Sequence, residues 1–171
     1  MQDKDVKLMV KSGDDAKGDG IQWVLFGLGE EEYAVSATQV QEIVRATVIT
    51  VVPNMPPFVK GICNLRGKIV PIIDLKERFA IEGKTDAAKA RIIVAHIETQ
   101  MVGFTVDSVT GVLRIAPGVI EGVPANLPKV DVDYILGVAK LANRLILLLN
   151  LDKMLKNMEK LILESATWEK K

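Results

Sequence analysis

The sequence predicts a mostly β protein made of two similar halves. Short apolar segments recur between turn-forming residues along most of the chain, which is the pattern of a β domain with many short strands. The second half also repeats the residue pattern of the first. The apolar segments are 21–28, 33–35, 48–52, 61–65, 69–73, 91–97, 101–106, 109–115 and 134–149.

The composition is that of an ordinary globular domain. Of the 171 residues, 49% are hydrophobic and 26% are charged, and Lys plus Arg equals Asp plus Glu at 22 each. No overall field therefore favours nucleic acid or an anionic membrane. The longest aliphatic run, 145–149, is far shorter than the roughly 20 residues that span a bilayer. With a single cysteine and no apolar signal core in its first residues, the chain is expected to be cytoplasmic.

Residues 1–20 are polar and mixed in charge, and 12–20 are small and charged, so we expect a flexible lead-in over 1–20. The domain should extend over 21–165, followed by a short tail at 166–171. Inside it, Ser36 and Gln39 can form a capping box that starts a helix carrying Val40, Ile43 and Val44.

Two more helices are expected, each after a capping residue. Asp74 can cap a short helix through Phe79, with Gly83 positioned to stop it. A longer amphipathic helix at about 151–164 follows Asn150. Its apolar stripe should pack on the core and leave the lysines outside: Leu151, Met154, Leu155, Met158, Leu161 and Ile162.

The internal repeat needs two offsets. A shift of 69 places sets 40–45 over 109–114, and a shift of 76 sets 58–62 over 134–138 and Asp74 over Asn150. The natural interpretation is a duplication that gives two small closed barrels, at about 21–84 and about 85–150, with a loop at 117–128. A groove between two such barrels is a usual place for a partner.

The repeat separates structural residues from functional candidates. Positions required by the fold should have similar counterparts: Asp74 and Asn150 as caps, Cys63 and Ala139 in the core, Gly67 and Asn143 as turn residues with positive φ. Two residues lack a counterpart, because Arg66 matches Ala142 and Glu42 matches Gly111. Arg66 is either a solvated turn residue or a functional guanidinium, and Glu42 has the same two interpretations.

The sequence offers little for catalysis. His96 is the only histidine, so neither a zinc site nor a Ser-His-Asp arrangement can be written. The 27–29 segment is expected to be a hairpin turn, and the Asp131–Asp133 pair is a weak candidate for a cation. We therefore predict no enzymatic activity, no catalytic residue, no metal and no cofactor.

The stretch 61–75, Gly-Ile-Cys-Asn-Leu-Arg-Gly-Lys-Ile-Val-Pro-Ile-Ile-Asp-Leu, strongly resembles the hallmark of the CheW family of bacterial chemotaxis coupling proteins. The likeness extends over roughly 23–163, including 32–35, 40–43 and 102–107. The resemblance implies two five-stranded SH3-like barrels. It also implies a non-enzymatic scaffold that couples the cytoplasmic tip of a methyl-accepting chemoreceptor to the regulatory domain of the histidine kinase CheA.

The resemblance also assigns residues to partners. Val40 and Gly61, with Ile43 beside them, would belong to a kinase-binding side. The receptor groove would be lined or bordered by Glu42, Arg66, Gly103, Val109 and Val112. Outside the signalling array the protein would be a monomer without direct membrane insertion, recruited to membrane-associated receptor arrays by its partners.

Two other functions stay open. One is the coupling protein of a chemosensory system that does not serve motility, which the residues do not distinguish from chemotaxis. The other is a small barrel that binds single-stranded nucleic acid, which would need a basic groove and exposed aromatic side chains. Balanced charge and only 5% aromatic residues argue against the nucleic-acid partner.

Overall fold

A computed structural model describes residues 20–45, 47–123 and 132–166, with side chains only over 133–160 in the last range. Residues 1–19 of the predicted lead-in, Asp131, the side chains of Leu161 and Ile162, and the predicted tail after 166 lie outside the described residues. Eleven strands occur in the described part: β1 Ile21–Leu28, β2 Glu31–Ser36, β3 Val40–Arg45, β4 Val59–Leu65, β5 Lys68–Asp74, β6 Arg91–Ile97, β7 Gln100–Val106, β8 Ser108–Ile115, β9 Ile120–Glu121, β10 Ile135–Leu141 and β11 Arg144–Leu149.

The strands form two small barrel-like sheets, which confirms the mostly β, duplicated fold. One sheet has the order β3-β6-β7-β5-β4, and the other has the order β8-β1-β2-β11-β10 with the two-residue β9 at its edge. Each sheet is antiparallel except for one parallel pair, β5 with β7 and β11 with β2. The five main strands follow the same order in both sheets, as a duplication requires.

The predicted barrel boundaries are wrong, because the first two strands belong to the second barrel. β1 pairs with β2 and β8, and β2 pairs with β11. The first barrel is therefore continuous in the chain over 40–106, whereas the second combines 21–36 with 108–149. The repeat shows which segments are alike. It does not show which segments pair, because hydrogen-bonding partners are chosen by tertiary packing.

Equivalent β-bulges confirm the duplication at single-residue resolution. The pairing skips Gln41 in β3 and Thr110 in β8, which are 69 places apart. It also skips Lys60 in β4 and Leu136 in β10, which are 76 places apart. A bulge inserts one residue, bends the strand and increases its twist. The matching bulges therefore bend the two sheets at equivalent positions.

The predicted helix after Ser36 is wrong. Only Ala37–Gln39 form a single 3₁₀ turn, Ser36 makes no capping hydrogen bond with its side chain, and the chain continues directly as β3. The other two caps are confirmed. Asp74 accepts from the Glu77 amide at 3.2 Å before α1 (Leu75–Arg78), and Asn150 accepts from the Lys153 amide at 3.1 Å before α2 (Leu151–Ala166).

α1 ends at Arg78, one residue before the predicted Phe79, and Gly83 is not the residue that stops it. Ala80 takes a left-handed φ of 56°, and the Ile81 amide donates to the Lys76 carbonyl at 2.8 Å, which closes the helix. The predicted 117–128 loop contains a 3₁₀ turn at Pro117–Val119 and the short β9 in its described part.

The largest core cluster lies between the barrels and is shared by them. It contains residues of both sheets, among them Phe26, Tyr33, Ile93 and Phe104, together with the buried face of α2. Each barrel also has a smaller core of its own. β1 serves two cores because successive side chains of a strand point to opposite faces: Val24 and Phe26 face the shared core, and Trp23 and Leu25 face the barrel interior. Where this cluster lies, the predicted groove between the barrels is filled by packed side chains.

Candidate functional site

The most distinctive surface feature is an ion pair at the tip of the first barrel. Arg66 Nη1 lies 2.6 Å from Glu42 Oε1. The two side chains differ sharply in exposure, 73% for Arg66 and 8% for Glu42. The pair therefore joins a buried carboxylate to a guanidinium that still faces solvent with most of its donors.

The hairpin between β4 and β5 presents Arg66. Arg66 and Gly67 have φ values of 54° and 83°, as a two-residue turn with positive φ at both positions requires. In the matching hairpin of the second barrel, the positive angle falls on Ala142, at 53°. The predicted positive φ is thus confirmed for Gly67 but is wrong for Asn143. The turn backbone does not need an arginine.

Glu42 is placed by β3 and not by a helix. β3 and β4 lie at opposite ends of the sheet order, so the ion pair between β3 and the β4–β5 turn connects the two edges of one sheet. The second barrel has Gly111 and Ala142 at these two positions and therefore lacks the pair. The pair is an addition to the fold that one barrel carries.

The four apolar candidates on β3 and β8 form two equivalent pairs. Val40 and Ile43 match Val109 and Val112 at the 69-place offset. Ile43 and Val112 are buried in the shared core at 4% and 8% exposure, and Val40 and Val109 are half-buried against the same cluster. The structure therefore brings these predicted kinase-side and receptor-side residues to one core. Of the four, only Val40 and Val109 reach its rim.

The two candidate glycines have structural reasons to be glycine. A Cβ on Gly61 would lie 2.1 Å from the Thr50 carbonyl oxygen, because Thr50 forms a bridge with Ile62 there. Gly61 also has a φ of 147°, which side chains rarely adopt. A Cβ on Gly103 would lie 2.7 Å from Ile72 Cδ1 inside the first barrel. Substitution at either glycine would disturb packing before it altered a binding surface.

A second ion pair, between Arg144 and Glu32 on the second barrel, was not predicted from the sequence. Arg144 donates from Nε and Nη2 to the two Glu32 carboxylate oxygens at 3.0 and 2.7 Å, and Thr110 donates to the same carboxylate at 3.0 Å. The hydrogen bond from Arg144 lowers the pKa of Glu32 despite partial burial, and the bond to Glu32 raises the pKa of Arg144. Matching Arg144 to Lys68 in the repeat identifies a basic position but does not locate its partner.

Cys63 and His96, the two residues considered for catalysis or metal binding, occupy ordinary positions on strands. Cys63 is buried at 4% exposure beside Val70 in the first barrel, where desolvation raises the pKa of its thiol. His96 is exposed on β6. Across the described ranges, no three His, Cys, Asp or Glu side chains come close enough to hold a metal ion. No helix in the described part is both long and apolar enough to cross a membrane.

Comparison with known proteins places these features in a family. The model of the CheW-like domain matches residues 22–159. The chain belongs to the CheW-like family. The chemotaxis protein CheW of Klebsiella aerogenes is 34% identical over 86% of this chain and 89% of its own length. The CheW of Bacillus subtilis is also 34% identical, over 74% and 81%.

A solved relative confirms the fold. The scaffolding protein TtCheW of Thermoanaerobacter tengcongensis is 36% identical, with a TM-score of 0.72 over 79% of this chain and 87% of that protein. The family resemblance and the duplicated SH3-like barrels predicted from the sequence are thus confirmed. Membership in this family of chemotaxis scaffold and adaptor proteins gives the chain its broad role.

Proposed function

We propose that this CheW-like protein binds two partners at once, the regulatory domain of the histidine kinase CheA and the cytoplasmic tip of a chemoreceptor. In this way it places kinase activity under receptor control. The protein acts in the cytoplasm, is recruited to receptor arrays by these contacts, and performs no chemistry of its own. The Glu42–Arg66 pair carries the proposal, because the fold forms without it in the second barrel.

The physical chemistry of the pair suits recognition of protein. Arginine is enriched among residues that dominate interfaces, because its planar group makes several directed hydrogen bonds to carboxylates and carbonyls. Glu42 holds one end of the guanidinium, so less side-chain freedom remains to be lost on binding. On the predicted receptor side, Val109 at the rim of the shared core supplies an apolar contact of the kind that receives an amphipathic helix. Val40, at the same rim, lies on the predicted kinase side.

The test is co-sedimentation of the protein with purified CheA and receptor-bearing membranes from the same organism. We expect CheA to reach the pellet only when this protein is present, and its autophosphorylation to respond to receptor ligand. Arg66→Ala should weaken this co-sedimentation, whereas Lys68→Ala, which removes an exposed cation two residues away, is the matched control and should not. The proposal fails if CheA stays in the supernatant, or if it sediments equally without this protein.

A further inference from the structure

A second side chain in the β4–β5 hairpin has a role that folding does not explain. Asn64, near the end of β4, accepts a hydrogen bond from the Gly67 amide at 2.9 Å. Its counterpart in the second barrel is Lys140. The β10–β11 hairpin nevertheless closes in the same register, with Leu141 opposite Arg144 as Leu65 is opposite Lys68. A hairpin of this register therefore closes without asparagine at this position, but with a different turn, because only Ala142 of its two turn residues has a positive φ.

The position of this hydrogen bond points to its effect. The Gly67 amide belongs to the planar peptide group between Arg66 and Gly67, so holding that amide fixes ψ of Arg66. The φ of Arg66, 54°, lies in the left-handed region, which is unfavourable for residues with a Cβ. Ala142 keeps a φ of 53° in a turn that has no such acceptor, but the residue after it has no positive φ, whereas Gly67 has a φ of 83°. The bond from the Gly67 amide to Asn64 therefore favours one orientation of the central peptide of the turn. Holding ψ of Arg66 in this way limits the directions that its Cα–Cβ bond can take.

We propose that Asn64 is a positioning residue for the partner contact made by Arg66. By fixing the Arg66–Gly67 peptide, Asn64 keeps the guanidinium against Glu42 at 2.6 Å and its remaining donors toward solvent. The group presented in this way fits a carboxylate or exposed main-chain carbonyls, such as those at a helix C-terminus. This inference rests on the proposed function, because it assumes that Arg66 contacts a partner.

The experiment compares three single variants of the full chain against CheA and receptor-bearing membranes. Asn64→Ala removes the acceptor, and we expect affinity for the partner that uses Arg66 to fall about 2- to 10-fold, the effect of one neutral hydrogen bond. Asn64→Asp keeps an acceptor for the Gly67 amide and should restore most of that loss. Lys140→Ala changes the equivalent position of the second barrel and should leave affinity unchanged.

Two readouts separate positioning from a merely structural role. In an Arg66→Ala background, Asn64→Ala should alter affinity by less than about twofold, because there is no guanidinium left to position. Without any partner, Asn64→Ala should move the carboxylate carbon shift of Glu42 toward its value in Arg66→Ala. Both variants should retain the sheet signal in circular dichroism.

Binding data for the variants distinguish failure of the proposed function from failure of the positioning role of Asn64. If Arg66→Ala leaves both affinities unchanged, the proposed function loses its central contact. If Arg66→Ala weakens binding and Asn64→Ala does not, the proposed function stands and the positioning role is overturned. Equal losses from Asn64→Ala in both backgrounds would also overturn it, because Asn64 would then act independently of Arg66.

Discussion

Replacing Arg66 with alanine should destabilise the protein, although its side chain is 73% exposed. A solvated turn residue would change stability by less than about 0.5 kcal/mol. Here the substitution leaves the Glu42 carboxylate, only 8% exposed, without its described partner. An unpaired buried acceptor costs about 1 to 3 kcal/mol. We expect the lower end of that range, because water reaches the pair from the side of Arg66.

Urea unfolding of four proteins measures this effect: the parent, Arg66→Ala, Glu42→Gln and the double variant. The double variant should recover stability relative to Arg66→Ala, because it removes the buried charge together with its partner. The two substitutions should couple by more than about 0.5 kcal/mol. Strict additivity would refute the argument from burial.

Three further predictions concern other parts of the fold. Leu155→Ala should lower the free energy of unfolding by about 2 to 5 kcal/mol in chemical denaturation, because the leucine side chain is buried in the shared core. Lys156→Ala, at an exposed neighbour, should not lower it. An equal effect of both substitutions would place α2 outside the core. Gly61→Ala should lower the melting temperature through the collision with Thr50, and an unchanged melting curve with lost kinase binding would instead favour a direct contact. In the folded protein the pKa of Glu32 lies below its usual value of 4.5, so the pair adds stability that is fully present above pH 4.5 and is lost as the pH falls through the pKa of the folded protein. Arg144→Ala should therefore lose less stability on acidification than the parent. An identical dependence of the free energy of unfolding on pH for both proteins would contradict this.

Features set by a few neighbouring residues could be predicted from the sequence. The two helix caps, the hairpin turns and the buried stripe of α2 as far as Met158 depend on local hydrogen bonds and on the period of 3.6 residues. The assignment of strands to barrels could not be predicted in this way. β2 lies beside β11 in the second sheet although more than 100 residues separate them in the chain. Only the packing of the whole domain decides that pairing.

The error at 40–44 has a specific physical cause. Residues three apart in a regular strand face opposite sides, so the spacing of Val40 and Ile43 indicated a helix. The bulge at Gln41 changes this alternation and lets both side chains contact the shared core. The matching bulge at Thr110 does the same for Val109 and Val112. The matching segment 109–115 has strand character, so the repeat already indicated that 40–45 is a strand and not a helix.

The two members of the candidate site could be found by sequence, but their contact could not. Glu42 and Arg66 are the positions where the halves differ in chemistry, and this comparison needs no structure. Their separation of 24 residues becomes 2.6 Å only because the sheet curls and brings its edges together. The burial of Glu42, which decides the stability prediction, likewise depends on that closure.

Because β1 and β2 belong to the second barrel although they precede the first barrel in the chain, the two barrels are mechanically connected. The chain passes between the barrels twice, from β2 to β3 and from β7 to β8, and the largest core is made by both. Arg78 of α1 reinforces this connection, because it donates to Asn157 of α2 at 2.9 Å and stacks over the Tyr134 ring at 5.0 Å from its centroid. Because Val40 and Val109 border one shared core, a partner on β3 and a partner on β8 press on the same packed side chains. Packed interiors transmit strain. In the proposed function, this common core is the physical connection through which a receptor bound beside Val109 can alter a kinase bound beside Val40.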